Sequence, residues 1–107
     1  MNKKNKLGNQ FTSTLILQIL EQNWDVLKSF GVQRIGLFGS YTRGTPGIES
    51  DMDFLVNMDH PTFDSYMDLK IFLEDLFRCE IDLVLEETIK SRLRSYILEE
   101  VTYASGL

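Results

Sequence analysis

The chain has 107 residues, of which 43% are hydrophobic and 25% are charged, and its formal net charge is −5. This length suits one domain with a single core and excludes a second substrate domain. The negative charge argues against binding of long DNA or RNA, because such binding requires a basic surface.

A tail and a long helix are the first predicted elements. Residues 1–10 are polar and are expected to form a mobile tail. A helix is predicted from about Ser13 to Phe30, ending at Gly31. Gln18 and Glu21 interrupt its apolar residues, so no membrane span or signal peptide is expected. The residues expected on its inner side are Leu15, Ile19, Leu20, Trp24 and Leu27.

The next apolar run leads into a turn of small residues. Ile35-Gly36-Leu37-Phe38 predicts a buried strand over about Arg34–Phe38. The Gly39-Ser40 turn that follows can present free backbone N–H groups to an anion. A short helix is expected to continue through Arg43, whose guanidinium can add a charged contact to a phosphate oxygen. Gly39, Ser40 and Arg43 are therefore the predicted phosphate-binding residues.

Two carboxylates open the second predicted strand. A turn at Thr45-Pro46-Gly47 precedes this strand, which is expected over about Met52–Asn57. Asp51 and Asp53 are two residues apart, so in a strand their side chains point to the same side. Without a cation they would repel each other by about 4 kcal/mol at roughly 4 Å and an effective dielectric near 20. A divalent metal removes this cost, and hard oxygen ligands suit Mg²⁺ or Mn²⁺.

The second half of the chain is predicted to contain two helices and a strand. Asp59 or Thr62 is expected to cap a helix that runs to about Phe77. A third strand is predicted over about Glu80–Leu85, with Asp82 at its head as a third candidate ligand. The helix stripe is Tyr66, Leu69, Leu73 and Leu76, and a last helix near Lys90–Tyr103 is expected to bury Leu93, Ile97, Val101 and Ala104.

Two single residues have ordinary interpretations. Cys79 is the only cysteine, which excludes an intrachain disulfide and fits a cytoplasmic location. We interpret Cys79 as a packing residue. His60, the only histidine, lies between Asp59 and Pro61 and is interpreted as a surface turn residue.

The order of these motifs predicts a topology. The phosphate-binding turn ends the first strand, whereas the carboxylates begin the second and third. They meet at one edge only if the second strand is antiparallel to the first and parallel to the third, with the helix between as the crossover. We therefore predict an α/β (α+β) fold, with a small mixed sheet and helices mainly on one face.

Each motif alone has a simpler explanation, as a plain turn, a solvated strand entry or a strand-edge acid. Together they favour a site for phosphoryl or nucleotidyl transfer with two metal ions. Asp51, Asp53 and Asp82 are then the predicted catalytic and metal-binding residues. Asp82 is the candidate general base if it lies closest to the acceptor.

Gly39-Ser40, ten intervening residues and Asp51-Met52-Asp53 resemble the signature of the DNA polymerase β-type nucleotidyltransferase superfamily. The chain is most similar to the minimal nucleotidyltransferase (MNT) antitoxins, from about Phe30 to Val101. This resemblance implies a Mg²⁺-dependent nucleotidyltransferase domain, expected over residues 11–107, with ATP as donor. Family members typically accompany a HEPN-domain toxin, an RNase, which they neutralise by binding it or by transferring AMP onto it.

Three functions remain open at this point. The first is an antitoxin enzyme that transfers AMP to a hydroxyl side chain of its partner toxin, docked in part on the exposed side of Arg92 to Tyr103. The second is an antitoxin that acts by binding alone, which an intact acid triad makes less favoured. The third is a small-molecule nucleotidyltransferase of the antibiotic-modifying type, for which this length leaves no acceptor pocket unless a dimer provides one. The oligomeric state is not predicted.

Overall fold

The structure is a computed structural model that describes residues 11–39, 41 and 51–105. Several predictions lie outside these residues. They are the tail at 1–10, the hydroxyl of Ser40, the short helix through Arg43 and the turn at Thr45-Pro46-Gly47.

The described residues form helices and short strands. Within the described ranges, no helix is both long enough and apolar enough to span a bilayer. In chain order the elements are α1 (Ser13–Gln22), α2 (Trp24–Ser29), β1 (Val32–Phe38), β2 (Met52–Met58), α3 (Phe63–Phe77), β3 (Ile81–Leu85), a 3₁₀ turn (Glu86–Thr88), α4 (Ser91–Glu100) and β4 (Thr102–Tyr103).

The four strands form one mixed sheet in the order β3-β2-β1-β4. Strand β2 is antiparallel to β1 and parallel to β3, and α3 connects the parallel pair. The predicted fold class and strand directions are therefore confirmed. This arrangement brings the end of β1 next to the starts of β2 and β3.

The core lies between one face of the sheet and helices α1, α2 and α3. Alternate residues of each strand point into it, as the two-residue period of a strand requires. Helix α3 begins at Thr62, whose side chain accepts a hydrogen bond from the Ser65 amide, so Thr62 rather than Asp59 is the cap. Fully buried core residues include Ile16, Leu20, Leu27, Ile35, Leu37, Phe54, Val56, Leu69, Leu73 and Phe77.

The predicted helix from Ser13 to Phe30 is two helices. Asn23 separates them, with backbone angles φ −107° and ψ 23°, and its side-chain amide donates to the Ile19 carbonyl at 2.8 Å. Asparagine favours such local bonds to the backbone, which compete with continuation of a helix. Position 15 was also assigned to the wrong side: Leu15 is 39% exposed and Ile16 is buried instead. Because residues 15–17 are all apolar, the sequence pattern does not determine which of them faces the core.

The last predicted helix is wrong at its end and in its burial. It ends at Glu100, and the segment assigned to its last turn forms the edge strand β4 beside β1. The β-branched and aromatic residues Val101, Thr102 and Tyr103 suit a strand. Leu93 is 46% exposed rather than buried, whereas Ala104 is buried as predicted. Ile97 and Val101 are half-buried.

Candidate functional site

Gly39 forms the bend at the end of β1. Its φ is +81°, a left-handed conformation that L-residues rarely adopt. The carboxylate of Asp53 lies against its α-carbon, because a Cβ placed on Gly39 would be 2.1 Å from Asp53 Oδ2. The sequence therefore has a glycine here for two reasons, the backbone angle and the nearby acid.

Asp53 lies between the two other parts of the predicted site. In the antiparallel pair it is opposite Phe38, and in the parallel pair it is opposite Asp82. Neighbouring strands lie about 4.8 Å apart, so Asp53 and Asp82 are adjacent across the sheet. Asp53 is half-buried and Asp82 is exposed. Two carboxylates and the glycine turn thus share one edge of the sheet, as the strand directions required.

Asp51 immediately precedes β2 and is exposed. Its charge acts on the phenol of Tyr41, which is buried, and on the thiol of Cys79, which is half-buried. Burial raises the pKa of both, that of Cys79 to about 11, and the negative charge of Asp51 adds to each increase. Cys79 packs against the core, as predicted, and its thiol stays protonated at neutral pH.

The carboxylates of Asp51, Asp53 and Asp82 have the chemistry of a magnesium site, since hard divalent cations prefer oxygen ligands. Among the described residues, no three His, Cys, Asp or Glu side chains are grouped closely enough to hold a metal ion. The three-carboxylate metal site thus stays a prediction.

Side chains of α3 and the 3₁₀ turn fix the strand that carries Asp82. The Ile81 carbonyl accepts from Lys70 Nζ at 2.9 Å, and the Leu83 carbonyl accepts from the Tyr66 hydroxyl at 2.5 Å. The Leu85 carbonyl accepts from the Thr88 hydroxyl at 2.8 Å. These bonds occupy carbonyls that an added strand would use, which protects the edge strand.

Glu100 is a residue near the site that the sequence reasoning missed. The Gly39 N–H donates to Glu100 Oε1 at 3.3 Å, although the two residues are 61 positions apart. Glu100 is the last residue of α4. The sequence carries no signal for this contact. The predicted last helix continues past Glu100, and its pattern does not indicate which residue Glu100 contacts.

A polar cluster around Glu86 lies elsewhere on the same sheet. Arg34 forms a two-bond ion pair with Glu86, at 2.7 and 3.1 Å, and the Tyr103 hydroxyl donates to the same carboxylate at 3.1 Å. Burial would raise the pKa of Glu86, but the hydrogen bonds from Arg34 and Tyr103 outweigh burial and lower it. Glu86 is 8% exposed. Its bonds to Arg34 and Tyr103 connect the 3₁₀ turn to β1 and β4. We interpret it as structural.

An apolar groove of about 450 Å³ lies at the other end of β3. Phe63, Tyr66, Leu83 and Val84 are among its lining residues, and none of the predicted site residues is. A triphosphate requires cationic groups or free amide donors, and no charged side chain lines this groove. The groove is therefore not suited to a triphosphate, and its position does not contradict a nucleotide site at Gly39 and Asp53.

Residues 14–104 match the family described as the nucleotidyltransferase domain. The protein adenylyltransferase MntA of Thermococcus cleftensis is 38% identical over 80 residues, which cover 74% of this chain and 81% of that protein.

Two solved structures share the fold. A minimal nucleotidyltransferase is 29% identical, with a TM-score of 0.75, covering 87% of this chain and 96% of its own. A variant of the MntA–HpeT toxin–antitoxin is 25% identical, with a TM-score of 0.64, covering 92% of this chain and 75% of its own.

Proposed function

The chain belongs to the nucleotidyltransferase domain family, and on that premise we propose that it is a Mg²⁺-dependent antitoxin enzyme. It transfers AMP from ATP to a hydroxyl side chain of a partner toxin of the HEPN type. The observation that carries this proposal is the position of Asp53, which is opposite Asp82 on one side and against Gly39 on the other.

We assign the nucleotide to the bend after β1. The Gly39 N–H, the Ser40 hydroxyl and the Arg43 guanidinium hold the β- and γ-phosphates. Asp51, Asp53 and Asp82 would hold Mg²⁺, which would offset their mutual repulsion and lower the pKa of the acceptor hydroxyl.

Asp82 is the residue that we assign to proton removal. As the acceptor oxygen bonds to the α-phosphorus, its proton passes to the Asp82 carboxylate. The bond from the α-phosphorus to the bridging oxygen breaks, and pyrophosphate leaves with that electron pair. The products are the AMP-modified partner, pyrophosphate and the proton on Asp82, which is then released to solvent, so atoms and charges balance.

A protein acceptor fits the open form of the site. At this edge Asp82 is exposed and Asp53 is half-buried, so the described residues do not by themselves enclose an acceptor. Holding the acceptor in position supplies much of the rate in such transfers, and a docked partner can provide it. The name of the Thermococcus relative, a protein adenylyltransferase, and the toxin–antitoxin identity of a similar structure support this choice.

The last helix is the docking surface that we propose. Helix α4 has no buried side chain, and Leu93 and Tyr96, three positions apart on one side of it, are 46% and 70% exposed. Exposed apolar side chains grouped in this way are typical of interaction surfaces. The same helix ends at Glu100, beside Gly39, so a partner docked on it would lie next to the site.

The test is intact-mass measurement of the partner toxin after incubation with ATP and Mg²⁺. We expect additions of AMP with the wild type and none with Asp51→Asn/Asp53→Asn. The matched control is Asp64→Asn/Asp68→Asn, which removes two exposed acids from α3 and should still transfer AMP. No addition to the partner, together with efficient modification of a small molecule, would indicate the antibiotic-type activity instead. Neutralisation of the toxin without any addition would indicate an antitoxin that only binds.

A further inference from the structure

The backbone donor of the phosphate-binding turn has an acidic partner within the chain itself. The Gly39 N–H donates to the carboxylate of Glu100 at 3.3 Å. On its other side Gly39 touches the Asp53 carboxylate. The bend after β1 therefore already faces an anion before any nucleotide is bound.

A carboxylate and a phosphate present the same chemistry to an amide. Both are anions whose oxygens accept hydrogen bonds from backbone N–H groups. A phosphate oxygen that accepted the Gly39 N–H would need the position that Glu100 Oε1 occupies. It would also bring further negative charge next to Glu100 and Asp53, so both cannot take the donor at once without a large repulsion.

Helix α4 packs lightly, and the Glu100 side chain is on its exposed surface. None of the side chains of α4 is buried, and the side chain of Lys90 at its start makes no capping hydrogen bond. Arg94 connects the helix to the body through the Glu86 carbonyl, at a distance of 3.3 Å. The backbone at the end of α4 is held by β4, which pairs with β1, but the Glu100 side chain is exposed and can turn away from Gly39 by a change of rotamer.

We propose that Glu100 is a competitor, within the chain, for the phosphate-binding turn. It accepts the Gly39 N–H in the free protein and must withdraw when a phosphate binds, so it lowers the affinity for nucleotide. This inference rests on the proposed function, because it takes the Gly39 turn as the phosphate site. The inference adds to that site a residue distant in sequence, Glu100, which sets the affinity of the turn for phosphate.

The experiment compares the wild type, Glu100→Gln and Glu99→Gln by titration calorimetry. Inorganic tripolyphosphate without metal and ATP with Mg²⁺ are the two probes. Glu100→Gln keeps the shape and the acceptor oxygen but loses the charge, and the exposed neighbour Glu99 provides the same change of net charge away from the turn. We expect Glu100→Gln to bind tripolyphosphate about three- to tenfold more tightly than Glu99→Gln, as one charge removed near a solvated site predicts. The gain should be smaller with Mg–ATP, which carries less negative charge, and should shrink at high salt.

Each outcome separates this inference from the function on which it rests. If the wild type binds and Glu100→Gln binds no more tightly than Glu99→Gln, Glu100 is not a competitor, while the phosphate site stands. If Glu100→Gln binds Mg–ATP more weakly, Glu100 is a ligand of the nucleotide or its metal, and the inference is wrong. If none of the three proteins binds either probe, the phosphate site itself is wrong, and this inference is lost with it. Circular dichroism on each variant verifies that the fold is retained.

Discussion

At Gly39 both the backbone conformation and the lack of space for a side chain require glycine. The φ of +81° excludes most side chains, and the Asp53 carboxylate occupies the position of a Cβ. Gly31 provides a natural comparison, since its φ is +91° and its nearest neighbour is the Asp59 carbonyl, 3.2 Å from an added Cβ. Only the first of these glycines lies at the proposed site.

We predict that Gly39→Ala abolishes ATP binding, because the added Cβ displaces Asp53 and blocks the approach of a phosphate. Both Gly39→Ala and Gly31→Ala should lower the free energy of unfolding by about 1–2 kcal/mol, the cost of a left-handed L-residue. Gly31→Ala should keep ATP binding. Urea unfolding and calorimetry measure the two effects, and equal ATP affinity in both variants would contradict the assignment of the turn.

Glu86 makes the stability of the folded protein depend on pH, and the direction of this dependence follows from the hydrogen bonds that Glu86 accepts. Its folded-state pKa is below the ordinary value, because the bonds from Arg34 and Tyr103 outweigh burial. A lowered pKa contributes stability that is complete above the unfolded pKa and is lost as the pH falls through the folded one. The contribution should therefore fade only below about pH 4.3, the ordinary value for glutamate.

We predict that Glu86→Gln lowers the free energy of unfolding by about 1.5–3 kcal/mol at pH 7, the usual range for charged hydrogen bonds. The difference from the wild type should shrink as the pH falls below about 4.3. Thermal and urea unfolding at several pH values measure it. Glu87→Gln, an exposed neighbour, should show almost no difference at any pH, and a constant loss for Glu86→Gln down to low pH would refute the role of its charge.

Sequence patterns at the residue scale identified acids that are close in the chain. Asp51, Asp53 and Asp82 stand at strand heads, where a two-residue period and a strand direction determine their neighbours. Glu86 and Glu100 contact residues 52 and 61 positions away. Neither contact follows from local spacing, because the first depends on how the 3₁₀ turn after β3 meets β1, and the second on how α4 returns to the end of β1.

Among the elements, those with strong local patterns were predicted and those that depend on distant partners were not. Helix α3 and strands β1 to β3 have clear periodicity and were assigned within two residues. Strand β4 pairs with β1 at Gly36, where an added Cβ would lie 2.6 Å from Val101 Cγ2. A glycine inside a strand can mark such a close approach, and this was the available signal for β4.

The exposed apolar side of α4 yields a prediction about the partner. We expect Leu93→Ser/Tyr96→Ser to weaken toxin binding by about tenfold or more, because exposed aromatic anchors dominate interfaces. Stability should change by about 0.5 kcal/mol or less, since both side chains are largely in solvent. Binding is measured by calorimetry with the purified partner.

A matched variant on α3 provides the control. Phe63 and Ile71 are 76% and 50% exposed, close to the values for Tyr96 and Leu93. Phe63→Ser/Ile71→Ser therefore removes one aromatic and one aliphatic side chain of similar exposure. We expect it to leave toxin affinity unchanged. A loss in this variant and none in the α4 variant would move the docking surface to α3 and the apolar groove.

For the whole molecule, the net charge of −5 sets the long-range field that a partner meets. A protein of this charge repels polyanions and attracts a partner with a basic face. Such attraction acts mainly on the rate of association, which salt screens, and less on the rate of dissociation.

We predict that the association rate with the partner toxin falls by about tenfold or more between low salt and roughly 0.5 M NaCl, while the dissociation rate changes little. Stopped-flow mixing at several salt concentrations measures the first rate, and chase with unlabelled toxin measures the second. Leu93→Ser/Tyr96→Ser should show the opposite pattern, a faster dissociation with the same salt dependence of association, because it removes contacts and keeps the charge. An association rate that is independent of salt in the wild type would show that charge does not guide this partner, and that the acceptor protein is selected by the apolar contacts of α4 alone.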